Sequence, residues 1–321
     1  MSALKWGVLG AGSVARRRVI PTMQMLDGHA VSALMVRDIE RAQAIAAQMN
    51  VPNSYQDIDG LISDENVNAV YISSPVNLHH EHVLAVAAAG KHVLCEKPMA
   101  MTVAECEEMI AACDRAGVHL QVCFVLRGWE IYNRIRKMIA DGDFGQVVEI
   151  RAHLAKWSPD QSGWRLDASQ SGGGVLMDMG AHYFDLFRFL VGDFAQVGYM
   201  GGTDAFEWAV EDTAFVTTKF KNGAHGVMGL SFAIPHNGNV LEIYGTRGSL
   251  FLGSELRMVT EKGEETESVT FPDYYSSLLT NFGDCVKGKA EPFVSGMDGL
   301  RNIEVIEAAY QSGREGRFVS I

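Results

Sequence analysis

The sequence predicts an α/β protein of two domains. A doubly wound parallel sheet is expected over residues 1–124, and an α+β domain with a mostly antiparallel, open sheet over residues 125–321. Three observations predict this. Short apolar runs alternate with helical patterns through the first 124 residues, as in chained βαβ units. The first run leads directly into Gly10-Ala11-Gly12-Ser13-Val14-Ala15. From Val147 onward the pattern becomes alternation joined by turns such as Lys221-Asn222-Gly223.

The first strand is Trp6-Gly7-Val8-Leu9, followed by a helical pattern to about Leu26. Between them stands Gly-x-Gly-x-x-Ala, a form of the dinucleotide fingerprint, which marks the sheet as Rossmann type. Gly10 makes the tight turn, and Gly12 lets the backbone approach a pyrophosphate. Ser13 and Val14 open the helix whose N-terminus faces the phosphates. The second strand, residues 30–36, ends at Val36-Arg37-Asp38. Arg37 suits a 2′-phosphate and so NADP, whereas Asp38 keeps NAD open. A helix over Ile39–Met49 carries alanine at most inward positions.

The next strand, Ala69–Ile72, exits through Ser73-Ser74-Pro75, whose backbone can line a cofactor cleft. A helix over 78–89 stops at Gly90. Its His79, His80 and His82 lack the spacing of a metal site, and His79 is expected to face the cleft. Val93-Leu94-Cys95-Glu96-Lys97-Pro98 then reads as a buried strand that delivers Lys97 to the crevice, with Pro98 ending it. A surface lysine after a strand reads the same way. Thr102, with Glu105 three residues on, opens a helix to about Ala116, and 119–124 completes the sheet.

In the second domain a helix over 129–140 precedes strands at 147–154, 213–220, 226–232, 240–244 and 249–252. Phe215, Val227 and Phe232 are expected on the open sheet face, where they favour self-association through sheet faces. A helical stretch from Gly172-Gly173-Gly174 to Arg188 carries Asp178 and His182 four residues apart, on one face. A carboxylate one turn before a histidine can orient the ring and stabilise its charged form, as a general base near neutral pH requires. A purely structural pair has the same spacing.

Charge and cysteine usage narrow the classes. The chain has 27 Lys+Arg against 39 Asp+Glu, a net −12, which argues against nucleic acid or an anionic membrane as the main partner. The first residues lack the marks of a signal peptide, and no apolar run approaches the roughly 18–20 residues of a membrane span. The five cysteines form no Cys-x-x-Cys pair. Free thiols and a cytoplasmic location are therefore expected, with no metal site.

The whole chain resembles the Gfo/Idh/MocA oxidoreductases. The resemblance is carried by Gly10–Ala15, Gly90–Pro98, Gly172-Gly173-Gly174 with Asp178, Gly180, His182 and Asp185, Val210-Glu211-Asp212-Thr213, and Leu241–Leu250. Gly163-Trp164-Arg165-Leu166 brings it near members of the 1,5-anhydrofructose reductase kind. The resemblance implies an NAD(P)-dependent dehydrogenase or reductase of sugars, polyols or cyclitols. Lys97 matches the active-site lysine, His182 the acid/base position, and Asp178 the acid that contacts substrate and histidine. Arg37 matches a position contacting adenine and phosphate, although Val36 stands where NADP users often place a serine. Trp164 and Arg165 become candidates for the sugar-facing wall, and Glu96 is expected to support Lys97 or the cofactor loop. The rival readings are an NAD-dependent glycoside hydrolase on the same scaffold and a non-catalytic ligand sensor.

Overall fold

The computed structural model describes residues 3–235, 239–270 and 275–321. The chain forms two compact units. One comprises Met1–Gly128 with Asp273–Leu300, the other Trp129–Pro272 with Arg301–Ile321.

The first unit is built on six parallel strands: β1 (Leu4–Leu9), β2 (His29–Met35), β3 (Asn53–Tyr55), β4 (Ala69–Ile72), β5 (His92–Cys95) and β6 (Leu120–Val122). Their order is β3-β2-β1-β4-β5-β6, with every neighbouring pair parallel. Helices on both faces explain why β4 is buried along its whole length and reads as an unbroken apolar run. The order reverses between β1 and β4, so the C-terminal ends of these strands flank a crevice. The helix after β1 opens with a wide π-type stretch, Ala15–Val19, and tightens over Ile20–Met25. Thr102 and Glu105 form the reciprocal cap expected of them: Glu105 N–H donates to Thr102 Oγ1, and Thr102 N–H to the Glu105 carboxylate, both at 3.2 Å.

A single division at residue 125 does not describe this unit, because the chain returns to it with 273–300. The helix Ser276–Val286 buries Leu278, Leu279 and Phe282. The Phe282 ring lies 4.9 Å from Trp6 and 5.4 Å from His119, so it packs on residues that open and close the parallel sheet.

The second unit holds a nine-stranded sheet: β7 (Val147–Ala155), β8 (Phe194–Gly202), β9 (Thr213–Phe220), β10 (His225–Ser231), β11 (Val240–Gly245), β12 (Gly248–Leu252), β13 (Glu255–Thr260), β14 (Gly263–Ser268) and β15 (Val319–Ser320). The order is β14-β13-β12-β11-β7-β10-β9-β8-β15, antiparallel except for the parallel β7/β10 pair. One face is covered by the helix Ala181–Val191. Its Phe184 and Phe187 meet Phe194 and Phe220 of the sheet at ring distances of 5.7 and 6.4 Å. On the other face Phe215 and Met200 are register partners, 53% and 69% exposed, with Val227 exposed two residues along β10 from Phe215's partner Gly229. Phe232 departs from the expectation. It lies just past the end of β10, where the alternation stops, and is 3% exposed.

Candidate active site

Cofactor-side residues converge at the crevice of the first unit. Gly10 has φ +86°, and its N–H donates to Met35 O at 3.1 Å. A Cβ there would stand 2.8 Å from Ser73 O, so the β1 exit and the β4 exit touch through backbone that admits only glycine. Ser73 N–H donates to Leu9 O at 2.8 Å, and its hydroxyl is spent on Gly10 O. Beside Gly12, in contrast, a Cβ would meet nothing within 4 Å. Gly12, Ser13 and Val14 are all exposed. The open space beside the turn and the helix start fits a pyrophosphate. At the end of β2, Arg37 is exposed, while Asp38 Oδ1 accepts the Arg41 N–H at 3.0 Å and caps the next helix.

The three histidines after β4 divide into separate tasks. His79 does not face an open cleft. It is 1% exposed, with Nε2 3.0 Å from Ser74 O and Nδ1 3.0 Å from Pro98 O. The ring thus ties the β4 exit to the segment after Lys97. Burial pulls its pKa down to about 4, against the raising effect of those carbonyls. His82 Nδ1 pairs with the Ser74 hydroxyl at 3.0 Å, and His80 pairs with Glu108 at 2.8 Å. Ser74 is therefore committed on both sides, its hydroxyl to His82 and its carbonyl to His79. Among the described residues no three His, Cys, Asp or Glu side chains form a group able to hold a metal ion.

Lys97 follows β5 by two residues, and its peptide bond to Pro98 is cis. Glu96 turns inward beneath it. Its Oε1 accepts the hydroxyls of Tyr71 (2.7 Å) and Tyr275 (3.0 Å), and its Oε2 accepts the Lys97 N–H at 3.1 Å. Burial raises the Glu96 pKa, opposed by Tyr71, Lys97 and Tyr275. Burial, with Glu96 beside it, pushes the Tyr71 hydroxyl far above its ordinary value. Glu96 thus supports Lys97 through the backbone. Neither tyrosine carries a sequence signal: Tyr71 reads as one apolar residue of a strand, and Tyr275 lies 179 positions from Glu96.

Asp178 and His182 lie on the second unit. Leu176–Gly180 is a wide π-type stretch that continues as the α-helix Ala181–Val191. Widening a turn by one residue keeps positions four and five apart on one side, and both residues are partly exposed. Glu211 anchors the start of this helix. Its carboxylate accepts the N–H groups of Gly174 (2.9 Å) and Leu176 (3.0 Å), and its carbonyl accepts that of Val175 (2.9 Å). A negative charge so placed complements the helix dipole. Tyr310 donates to the same carboxylate at 2.9 Å. A Cβ on Gly174 would stand 2.0 Å from Glu211 O, so this position admits only glycine. One further charge was not read from the sequence. Lys156, just past β7, brings its ammonium 3.8 Å from Asp178 Oδ2. Its signal is a strand exit, Ala155-Lys156-Trp157-Ser158-Pro159, in which a lysine again precedes a nearby proline. Trp164 and Arg165 lie on the turn Gly163–Leu166, with the guanidinium 4.6 Å above the indole ring.

Comparison with known proteins agrees with both halves. The model of an oxidoreductase family with an NAD-binding Rossmann fold matches residues 4–124, and that of the GFO/IDH/MocA C-terminal domain matches 132–251. A 1,5-anhydro-D-fructose reductase of Ensifer adhaerens is 31% identical over 99% of this chain and 98% of its own. A D-xylose 1-dehydrogenase (NADP(+)) of Haloferax volcanii is 28% identical over 99% of this chain and 100% of its own. The crystal structure of an aldose-aldose oxidoreductase from Caulobacter crescentus, complexed with glycerol, superposes with a TM-score of 0.90 at 31% identity. It covers 99% of this chain and 100% of its own. These relatives are dehydrogenases and reductases, which sets aside the hydrolase and sensor readings. Among the described residues no helix is long and apolar enough to cross a membrane. With both of its domains matched and a relative 31% identical along its length, the chain belongs to the GFO/IDH/MocA family and is an NAD(P)-dependent oxidoreductase.

Proposed function

We propose that this protein transfers a hydride between the nicotinamide of NADP and a secondary alcohol or carbonyl carbon of a sugar, polyol or cyclitol, in the cytoplasm. The observation that carries the reading is Lys97 at the end of β5, its main chain held by a buried carboxylate that two tyrosines and the Lys97 N–H satisfy. An ammonium carried on a main chain held in this way suits an oxygen that gains negative charge. Bound nicotinamide supplies the hydride acceptor or donor. In the oxidative direction His182 takes the hydroxyl proton, and Asp178 orients the imidazole and stabilises its charged form. Lys97 donates a hydrogen bond to the reacting oxygen. In the reductive direction the proton returns from His182. Trp164 and Arg165 contribute to the sugar-facing wall.

Gly10, Gly12, Ser13 and Val14 seat the pyrophosphate, with the backbone of Ser73 and Ser74 beside it. NADP is favoured over NAD because Arg37 is exposed at the β2 exit while the neighbouring carboxylate of Asp38 serves as a helix cap. The exposed Met200, Phe215 and Val227 support self-association through the second sheet, as a homodimer or homotetramer. The deciding experiment is a cofactor-coupled screen of sugars and polyols, run with NADP and NAD in parallel. Turnover with NADP is expected, together with its loss in Lys97→Ala and His182→Ala. Near-normal turnover in both variants, with folding intact, would sink the mechanism.

A further inference from the structure

Trp157 is 54% exposed, yet it is not on a loose loop. The residue before it donates to Ser231 O at 3.0 Å and the residue after it to Phe232 O at 2.9 Å, so its backbone is bracketed by the exit of β10. Its ring lies 5.4 Å from Phe206, which in turn stacks on Trp208 at 4.5 Å and 26°. Trp208 stands 6.1 Å from Phe232. Phe206 and Trp208 are themselves only partly buried. These rings form a continuous aromatic strip on one unit.

The loop that supplies two of the rings is fixed from below. Asp212 is fully buried, and its carboxylate accepts the N–H groups of Asp204 (3.3 Å), Ala205 (3.0 Å) and Phe206 (2.9 Å) and the Thr213 hydroxyl (2.8 Å). Three consecutive amides on one carboxylate hold Phe206 in place before any ligand arrives. Such preorganisation lowers the ordering cost of binding. It also gives Asp212, which the sequence presents only as part of a motif, a defined task.

The strip is continuous with the proposed reaction centre. The Lys156 ammonium sits 4.7 Å above the Phe232 ring and 3.8 Å from Asp178 Oδ2. One end of the strip is therefore an ion pair able to bond hydroxyl groups, resting on the buried Phe232, and the accessible aromatic face beyond it is that of Trp157, Phe206 and Trp208. Interfaces with proteins are depleted of charge at their core. Here a lysine and an aspartate close one end of the strip, and Asp204 and Glu207 are exposed on its loop. Aromatic faces beside a few fixed polar groups are the chemistry of a small-ligand site. For a sugar, the apolar C–H face of the ring meets the indole and the rim hydroxyls meet the charges.

We propose that Trp157, Phe206 and Trp208 form a subsite for a second sugar ring, next to the one that reacts, so that the preferred substrates are disaccharides or other glycosides. This rests on the reading above for the Asp178 end alone.

The test measures binding and turnover separately on the full-length protein with NADP. Cellobiose, lactose and maltose are compared with glucose and galactose by saturation-transfer NMR and titration. Both rings of at least one disaccharide should receive saturation, and that disaccharide should bind more tightly than its component monosaccharides. Trp157→Ala should lower the disaccharide-to-monosaccharide affinity ratio by about tenfold, and Trp157→Phe should restore most of it. The side chain is largely solvent-facing, so both variants should fold. Disaccharides that bind no better than monosaccharides, or a Trp157→Ala variant that weakens both equally, would overturn the subsite. A differential that holds without any hydride transfer leaves the subsite standing and removes the proposed function; turnover without the differential does the reverse.

Discussion

Tyr275 donates its hydroxyl to Glu96 Oε1 at 3.0 Å although the two residues lie 179 positions apart. The bond joins the returning segment of the chain to the carboxylate that holds the Lys97 main chain. Removing the hydroxyl in Tyr275→Phe leaves Glu96 with Tyr71 and the Lys97 N–H, so the expected cost is about 1 kcal/mol of stability. Glu96→Ala strips the acceptor from two buried hydroxyls at once and should cost about 3 kcal/mol. Urea unfolding ranks the two. Steady-state kinetics should show kcat falling in both, with cofactor KM little changed, because the main chain under Lys97 is what moves.

Gly10 and Gly12 should behave differently although they share one motif. Alanine at position 10 would meet Ser73 O at 2.8 Å with φ +86°, so it should cost about 2 kcal/mol of stability. Alanine at position 12 meets nothing within 4 Å. Gly12→Ala should unfold at nearly the wild-type temperature yet bind NADP on the order of tenfold more weakly, because the methyl takes the space meant for phosphate. Calorimetry read beside a fluorescence titration of the cofactor checks both halves. Full NADP affinity in Gly12→Ala would remove the pyrophosphate from this turn.

Glu211 and Gly174 should act on catalysis through the helix that carries Asp178 and His182. Gly174→Ala drives a Cβ to 2.0 Å from Glu211 O and should destabilise by about 3 kcal/mol. Glu211→Gln keeps an acceptor for one amide but loses the charge at the helix start. It should cost about 1 kcal/mol and lower kcat more than it raises cofactor KM. A change confined to cofactor KM would mean that the helix start does not position the pair.

The parallel sheet was legible because its strands are buried on both faces and read as unbroken apolar runs, as β4 does from Ala69 to Ile72. The strand β3, only Asn53-Ser54-Tyr55 at a sheet edge, leaves no such mark. Nor does β14, where three of six residues are Glu and the strand is held through backbone pairing with β13. In β8 the pattern runs out into Gly201-Gly202. At the candidate site, the residues named from sequence were those whose identity is tied to a local motif: Gly10, Gly12, Lys97, Asp178 and His182. Residues whose role depends on contacts across the chain were silent. Tyr275 needs a helix to return to the first unit, and Lys156 needs the β7 exit to meet the Asp178 turn. His79 was misread for the same reason. Nothing local says that its two nitrogens will lie against the carbonyls of Ser74 and Pro98.

His79 and His82 set an acid limit on the fold. Burial lowers both from an ordinary 6.5 to about 4. The folded rings stay neutral while those of the unfolded chain take protons below about pH 6.5, so the unfolded state binds more protons between about pH 6.5 and 4. Stability is therefore whole above that window and falls as pH drops through it, by at most about 1.4 kcal/mol per pH unit for each ring. Urea unfolding at pH 7.5, 6 and 5 should show wild-type stability dropping with a steady slope in denaturant. His82→Asn, which can still pair with the Ser74 hydroxyl, should lose less over the same interval, by about 1 kcal/mol per pH unit. Parallel losses in the two proteins would place the acid sensitivity elsewhere. Because His79 ties Ser74 to Pro98, acid opening at this ring should also loosen the segment after Lys97, and cofactor-coupled turnover should decline before global unfolding is seen.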